Sequence, residues 1–147
     1  ERAVSLIEAG AEKAGRSMDE IDVAAYTSFS VADDRKSAKK SVVPVVAYIV
    51  AGSPPQILER HEIPVEKADE IRMNLAERNW GEAFGAVDSR MIDAFSICGD
   101  PSQCVEQIDE LFKTGITHFI TGSPLGPSKK KSINLFGNEV MPHFKES

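Results

Sequence analysis

Apolar residues recur at helical spacing through Val4, Ile7, Ala11 and Ala14, with Glu8, Glu12 and Lys13 on the other side, the pattern of an amphipathic helix. Gly15 follows where a left-handed C-terminal cap belongs. After a turn around residues 17–19, residues 23–31 read VAAYTSFSV. Nearly free of charge and mixing small with β-branched side chains, this run predicts a strand covered on both faces. Asp33 or Asp34 is placed to cap a helix that runs toward residues 51–52. Pro44 should kink that helix, because proline deletes a backbone donor and crowds the preceding turn.

The rhythm then changes. Pro54-Pro55 marks a turn, and short helical patterns follow over 56–60, 66–79 and 80–88. No strand pattern appears between residues 53 and 92, so this stretch reads as a helical insertion. Residues 94–98 resume with a short apolar strand. Asp100-Pro101-Ser102-Gln103 is a helix-start signature, with an aspartate cap, proline at the first position and glutamine reaching back. Cys104, Ile108 and Leu111, flanked by Val105 and Phe112, form that helix's apolar stripe, and Gly115 ends it. Residues 116–121 read as the last strand. Residues 132–144 read as the last helix, with Ile133, Phe136, Val140 and Phe144 along one face.

Helix–Gly–strand thus recurs twice, at Ala14-Gly15 and Thr114-Gly115. Strands separated by helices pair in parallel through right-handed crossovers. The fold class is α/β, and three strands with four or more helices make about half of a (β/α)₈ TIM barrel, which takes ~250 residues when whole. The chain of 147 residues opens on Glu1 with a helical pattern already under way. The expectation is a single partial barrel over 1–147, the C-terminal half, with residues 53–92 inserted in it.

Composition narrows the function. A net charge of −6 with interspersed signs and no basic stripe argues against a nucleic-acid partner. The longest apolar run, 42–51, is about half the ~20 residues that span a bilayer, and no signal peptide precedes the first helix; a cytoplasmic protein is expected. Cys98 and Cys104 with three scattered histidines, His61, His118 and His143, do not make a zinc site, and the cysteines are expected as reduced thiols.

The candidate chemistry sits at the end of the last strand. In Thr121-Gly122-Ser123-Pro124-Leu125-Gly126, Gly122 would let backbone approach a ligand, Ser123 offers a hydroxyl, and the following helix start could hold an anion. Lys129, Lys130 and Lys131 add charge. From spacing alone the same residues read first as a plain strand-to-helix turn with a solvated lysine run. Tyr26, Thr27 and Ser28 could face the pocket or pair inside the barrel. His118, at the strand's opening end, is expected to be structural, and His61 and His143 solvated. Trp80 and Phe84 could wall a pocket or anchor the helical stretch. Asp33-Asp34 and Asp109-Glu110 look like a cap and a wet helix face.

The wording Ile97-Cys98-Gly99-Asp100-Pro101, with Cys104-Val105 and Ile108-Asp109-Glu110-Leu111 after it, resembles the luciferase-like monooxygenase superfamily, whose members enter this helix on Gly-Thr-Pro-Glu. Asp100 stands here for the usual Thr and Ser102 for the usual acid. Thr114-Gly115-Ile116-Thr117-His118, then Gly122 to Pro127, and the ending Asn138-Glu139-Val140-Met141-Pro142-His143-Phe144, look like the branch of coenzyme F420-dependent methylenetetrahydromethanopterin reductases. That resemblance implies hydride transfer between reduced F420 and the methylene group of a pterin to give the methyl form, a step of archaeal methanogenesis and one-carbon metabolism. It implies Gly122, Ser123, Pro124 and Thr121 as cofactor-binding residues and a homo-oligomer. It places the insertion, with Trp80 and Phe84, against the pterin or a subunit contact. The family's acidic active-site residue belongs to the first half of the barrel, so no catalytic residue is assigned here. Alternatives are another luciferase-like enzyme using F420 or FMN, and a half barrel that only binds.

Overall fold

The computed structural model describes residues 2–144. Helix α1 (Arg2–Lys13) ends on Gly15, whose φ of 66° is the left-handed cap that the sequence predicts. A short turn closed by a capping box between Ser17 and Glu20 leads into β1 (Ala24–Val31). Of the two aspartates that follow, Asp34 is the cap: it accepts from the Ser37 amide at 2.9 Å and starts α2 (Arg35–Gly52). Asp33 instead pairs with Lys131. Helix α2 continues unbroken through Pro44. The carbonyl that proline leaves unpaired is that of Lys40, a residue open to water.

Four helices come next: α3 (Pro55–Arg60), α4 (Val65–Ala76), α5 (Trp80–Gly85) and α6 (Ser89–Phe95). The last was not foreseen. Asp88 caps it, Met91 and Ile92 bury along it, and it consumes Ala94 and Phe95, so β2 (Ser96–Gly99) begins later than the sequence reading placed it. Helix α7 (Pro101–Phe112) follows the expected start: Gln103 donates its amide to Asp100 at 3.0 Å and its side chain accepts from the Asp100 amide at 3.2 Å. Gly115, at φ 93°, ends the turn after it. Strand β3 (His118–Leu125) runs four residues beyond the predicted end. Helix α8 (Lys129–Leu135) starts earlier than predicted and passes into a π turn (Phe136–Val140) and a 3-10 turn (Met141–Phe144). The winding change breaks the single apolar stripe: Phe136 and Val140 pack inward, but Ile133 is 56% exposed and Ser132 is buried in its place.

The sheet is parallel, in the order β2-β1-β3. β1 pairs with β3 from Ala24↔His118 onward, whereas β2 meets only the last four residues of β1. The outer edge of β2 is occupied at Cys98 by the Gln107 side chain, which accepts from the Cys98 amide at 3.3 Å and donates to its carbonyl at 3.2 Å. An amide side chain there satisfies the groups a further strand would use.

Alternate residues of β1 feed two cores. Phe29 and Val31 pack with Ile97 against Cys104, Ile108 and Val140, and the Phe29 ring meets Phe119 and Phe136 edge-on at 5.8 and 5.4 Å. On the other face, Cys98 and α2 residues Val42, Val46 and Val50 pack with Leu58, Ile71 and Met91, and Ser30 donates to the Ala38 carbonyl at 2.9 Å. Only the C-terminal half of β1 is covered in this way. Ala24 and Tyr26 are exposed, the latter by 72%, so the strand is not buried on both faces along its length. Among the described residues no helix is long and apolar enough to cross a membrane.

Candidate active site at the strand ends

The stretch from Thr121 to Leu125 is strand rather than loop, and it carries a bulge. Thr27 pairs with Thr121 but Phe29 pairs with Pro124, so Gly122 and Ser123 both stand opposite Ser28. Such a two-for-one irregularity re-aims side chains where it occurs. Ser28 Oγ donates across it to the Ser123 carbonyl at 3.1 Å. A Cβ at Gly122 would lie 2.6 Å from the Thr27 carbonyl oxygen and 2.9 Å from Cζ of Tyr26. A close approach of β1 therefore requires glycine here. The Ser123-Pro124 peptide is cis, and Leu125 and Gly126 follow at φ 73° and 144°.

Beyond the strand, Gly126 lies against Ser132, whose buried Oγ donates to the Val31 carbonyl at 2.8 Å. With the Lys131–Asp33 ion pair, this fastens the start of α8 to the end of β1. Lys131 is thus engaged, while Lys129 and Lys130 are exposed.

A cavity of about 1030 Å³ opens between the bulge, the N-terminal end of β2 and the C-terminal end of α7. Tyr26, Ser28 and Ser123 line it from the sheet, and Val45, Ile49 and Phe95 line it from the helices. Three carboxylates line it, Asp93, Glu106 and Glu110; Asp93 meets Lys39 at 2.8 Å, and Glu110 meets Lys113 at 2.5 Å. That salt bridge holds the lysine proton more tightly than usual, raising the Lys113 pKa through the Glu110 contact. The expected site residues are not all brought together. Ser123 faces this cavity, but Thr121 lines separate grooves on the opposite side with Phe29 and Phe136. Trp80 stacks on Phe84 at 6.2 Å, is 43% exposed, and does not line the cavity.

His118 opens β3 and meets Asp22 at 3.3 Å, at the end of the strand remote from the bulge. His143 is exposed as expected, but His61 is half-buried with its ring 5.2 Å from that of Phe95. Both cysteines are free and buried. Burial pushes the Cys98 thiol up and, helped by Cys98 and Asp100, takes Cys104 to about 12. Neither is a nucleophile. Among the described residues no cluster of His, Cys, Asp or Glu could hold a metal ion. The cavity presents hydroxyls, apolar surface, the Gln107 amide and the carboxylates of Asp93, Glu106 and Glu110. The sequence reading missed Gln107 and Ser132. Ser132 carried a faint signal, a small hydroxyl residue inside a helix start; Gln107 carried none.

The sequence pattern of the luciferase-like monooxygenase family matches residues 1–118. The chain belongs to that family. Among luciferase-like proteins it is similar to the 5,10-methylenetetrahydromethanopterin reductases of three organisms. It is 54% identical to that of Methanopyrus kandleri over 146 residues, 99% of this chain and 42% of the relative. It is 46% identical to that of Archaeoglobus fulgidus, covering 99% of this chain and 45% of the relative. It is 50% identical to that of Methanolobus tindarius, covering 96% and 44%. It also superposes on a solved structure of the coenzyme F420 dependent tetrahydromethanopterin reductase of Methanopyrus kandleri with a TM-score of 0.95, over 97% of this chain and 41% of that one. The chain therefore spans less than half the length of the luciferase-like relatives it matches. The expected α/β fold of part of a luciferase-like barrel stands.

Proposed function

We propose that the chain is the C-terminal part of an F420-dependent methylenetetrahydromethanopterin reductase. The observation that carries this reading is the 54% identity to the Methanopyrus kandleri reductase, sustained over 146 residues. On this reading β1 and β3 are neighbouring barrel strands, and residues 53–92 are a helical insertion between β1 and β2. The completed barrel is cytoplasmic, archaeal and homo-oligomeric.

The cavity fits a flat ligand. Its volume is at the upper end of what small-molecule sites use, and it combines apolar walls from Val45, Ile49 and Phe95 with the hydroxyls of Tyr26 and Ser123. Coenzyme F420, when bound, supplies the hydride. The residues of this chain place the ring. Gly122, Ser123 and Pro124 would hold it; of these Ser123 lines the cavity, and the bond from Ser28 to the Ser123 carbonyl fixes the bulge there. Thr121 supports them from behind, paired with Thr27. Orientation of two rings so that donor and acceptor carbons meet is the main catalytic device.

The test is cofactor choice in the intact gene product that carries this chain. Binding of F420 at least tenfold tighter than FMN, with F420-linked reduction of the methylene pterin, is the expected result. Equal or tighter binding of FMN overturns the reading in favour of another luciferase-like oxidoreductase.

A further inference from the structure

Beyond its second turn, helix α2 is uncharged on every side. Its basic residues, Arg35, Lys36, Lys39 and Lys40, all precede residue 41, and no charged residue follows until Glu59. One stripe, Ala38, Val42, Val46 and Val50, is fully buried against the helices that follow. A second stripe recurs at helical spacing through Ser41, Pro44, Val45, Tyr48, Ile49 and Gly52. Within this chain it stays half open: Tyr48 is 56% exposed, and Val45 and Ile49 are only half-buried. A helix that borders water carries charge on that side, whereas one that is apolar all round is buried.

The stripe adjoins a second uncompleted position. Val45 and Ile49 line the cavity together with Tyr26, Thr27 and Ser28 of β1. There β1 lacks a neighbour on one edge: β3 pairs along the other edge from Ala24 onward, whereas β2 begins only opposite Ser28. The Gln107 side chain closes the outer edge of β2 at Cys98, but among the described residues no side chain does the same for residues 24–27. Bare backbone at a sheet edge takes up a further strand. Because β1 is the central strand, a gap along half of it is completed from within the fold. More than half of the polypeptide of the relatives lies outside this chain, which spans 42% of the Methanopyrus kandleri reductase.

We propose that the preceding part of the intact polypeptide docks on this surface: it supplies a strand to the edge of β1 at residues 24–27 and packs apolar side chains on the α2 stripe around Tyr48. The cavity between the two contacts is then walled by both parts of one chain. This rests on the reading of the chain as a C-terminal part, and not on the reaction assigned to the whole.

The chain holds two tyrosines, Tyr26 on the open strand and Tyr48 on the stripe, and within this chain they are 72% and 56% exposed. The experiment nitrates the intact gene product with tetranitromethane over a range of protein concentrations and reads each tyrosine by peptide mass spectrometry. A side chain covered by the rest of its own polypeptide reacts only through local opening, so both should be modified at least about tenfold more slowly than in the urea-unfolded protein, at every concentration. Modification of either tyrosine at the unfolded rate overturns the proposal. Protection that disappears on dilution, as the protein dissociates, assigns the surface to a second copy and also overturns it. Protection gained only on adding F420 overturns it in favour of a ligand. The expected result needs neither cofactor nor substrate, so a preference for FMN in the binding test would remove the reductase reading and leave this one standing.

Discussion

Single residues hold the end of the sheet together. Ser132 is 2% exposed and its hydroxyl satisfies the Val31 carbonyl at the C-terminus of β1. Ser132→Ala leaves that carbonyl without its side-chain donor, and the expected loss is about 1–3 kcal/mol, read as a lower urea midpoint with unchanged slope. A loss below about 0.5 kcal/mol would show that α8 is held by other contacts. Cys98 and Cys104 make a second residue-scale prediction. Their buried, raised pKa values should keep both unreactive toward a water-soluble thiol reagent at pH 8 until the protein is unfolded. Rapid modification of the native protein would contradict the packing described. The sequence had already suggested that these were reduced thiols. It could not have shown why Gly122 is glycine, because the Tyr26 ring and Thr27 carbonyl that demand it lie on another strand.

At the scale of elements, the caps were the most legible part of the chain. Asp100-Pro101-Ser102-Gln103 folds as its spacing says, because every group in a capping box lies within four residues. Elements whose limits depend on distant partners were misplaced. β3 continues past Thr121 because Pro124 and Leu125 pair with Phe29 and Ser30. α6 displaces the expected start of β2 because Met91 and Ile92 bury against the α2 cluster. The caps also fix an acid dependence. The Ser37 amide and hydroxyl hold the Asp34 carboxyl below its ordinary value of 3.8. Partial burial opposes the charge of Asp88, but the Met91 amide and Lys67 outweigh it and lower that pKa as well. Carboxyls depressed on folding stabilise above about pH 4 and lose that contribution as pH falls through their folded values. The melting temperature should therefore drop between pH 4 and 2, and Asp34→Asn with Asp88→Asn should flatten the drop. An equally steep fall in the double variant would contradict this assignment.

At the scale of the molecule, the parallel α/β arrangement was legible because helices alternate with strands along the chain. The strand order was not. β2 looks in sequence like an equal member of the sheet, but it pairs with only half of β1 and is blocked by Gln107 on its other edge. The long shared ladder is that of β1 and β3; on its other edge the N-terminal half of β1 has no strand partner among the described residues, and Tyr26 there is exposed. The bulge at Gly122 and Ser123 stands beside a cavity lined by Tyr26, Ser28 and the N-terminal end of β2. Its lining mixes hydroxyls and apolar side chains with the carboxylates of Asp93, Glu106 and Glu110. The most direct measurement is equilibrium binding of F420 and of FMN to the intact gene product, followed by the F420-linked methylene reduction assay. The account predicts F420 bound at least tenfold more tightly than FMN and a protein that reduces the methylene pterin. FMN bound as tightly or more tightly would contradict it.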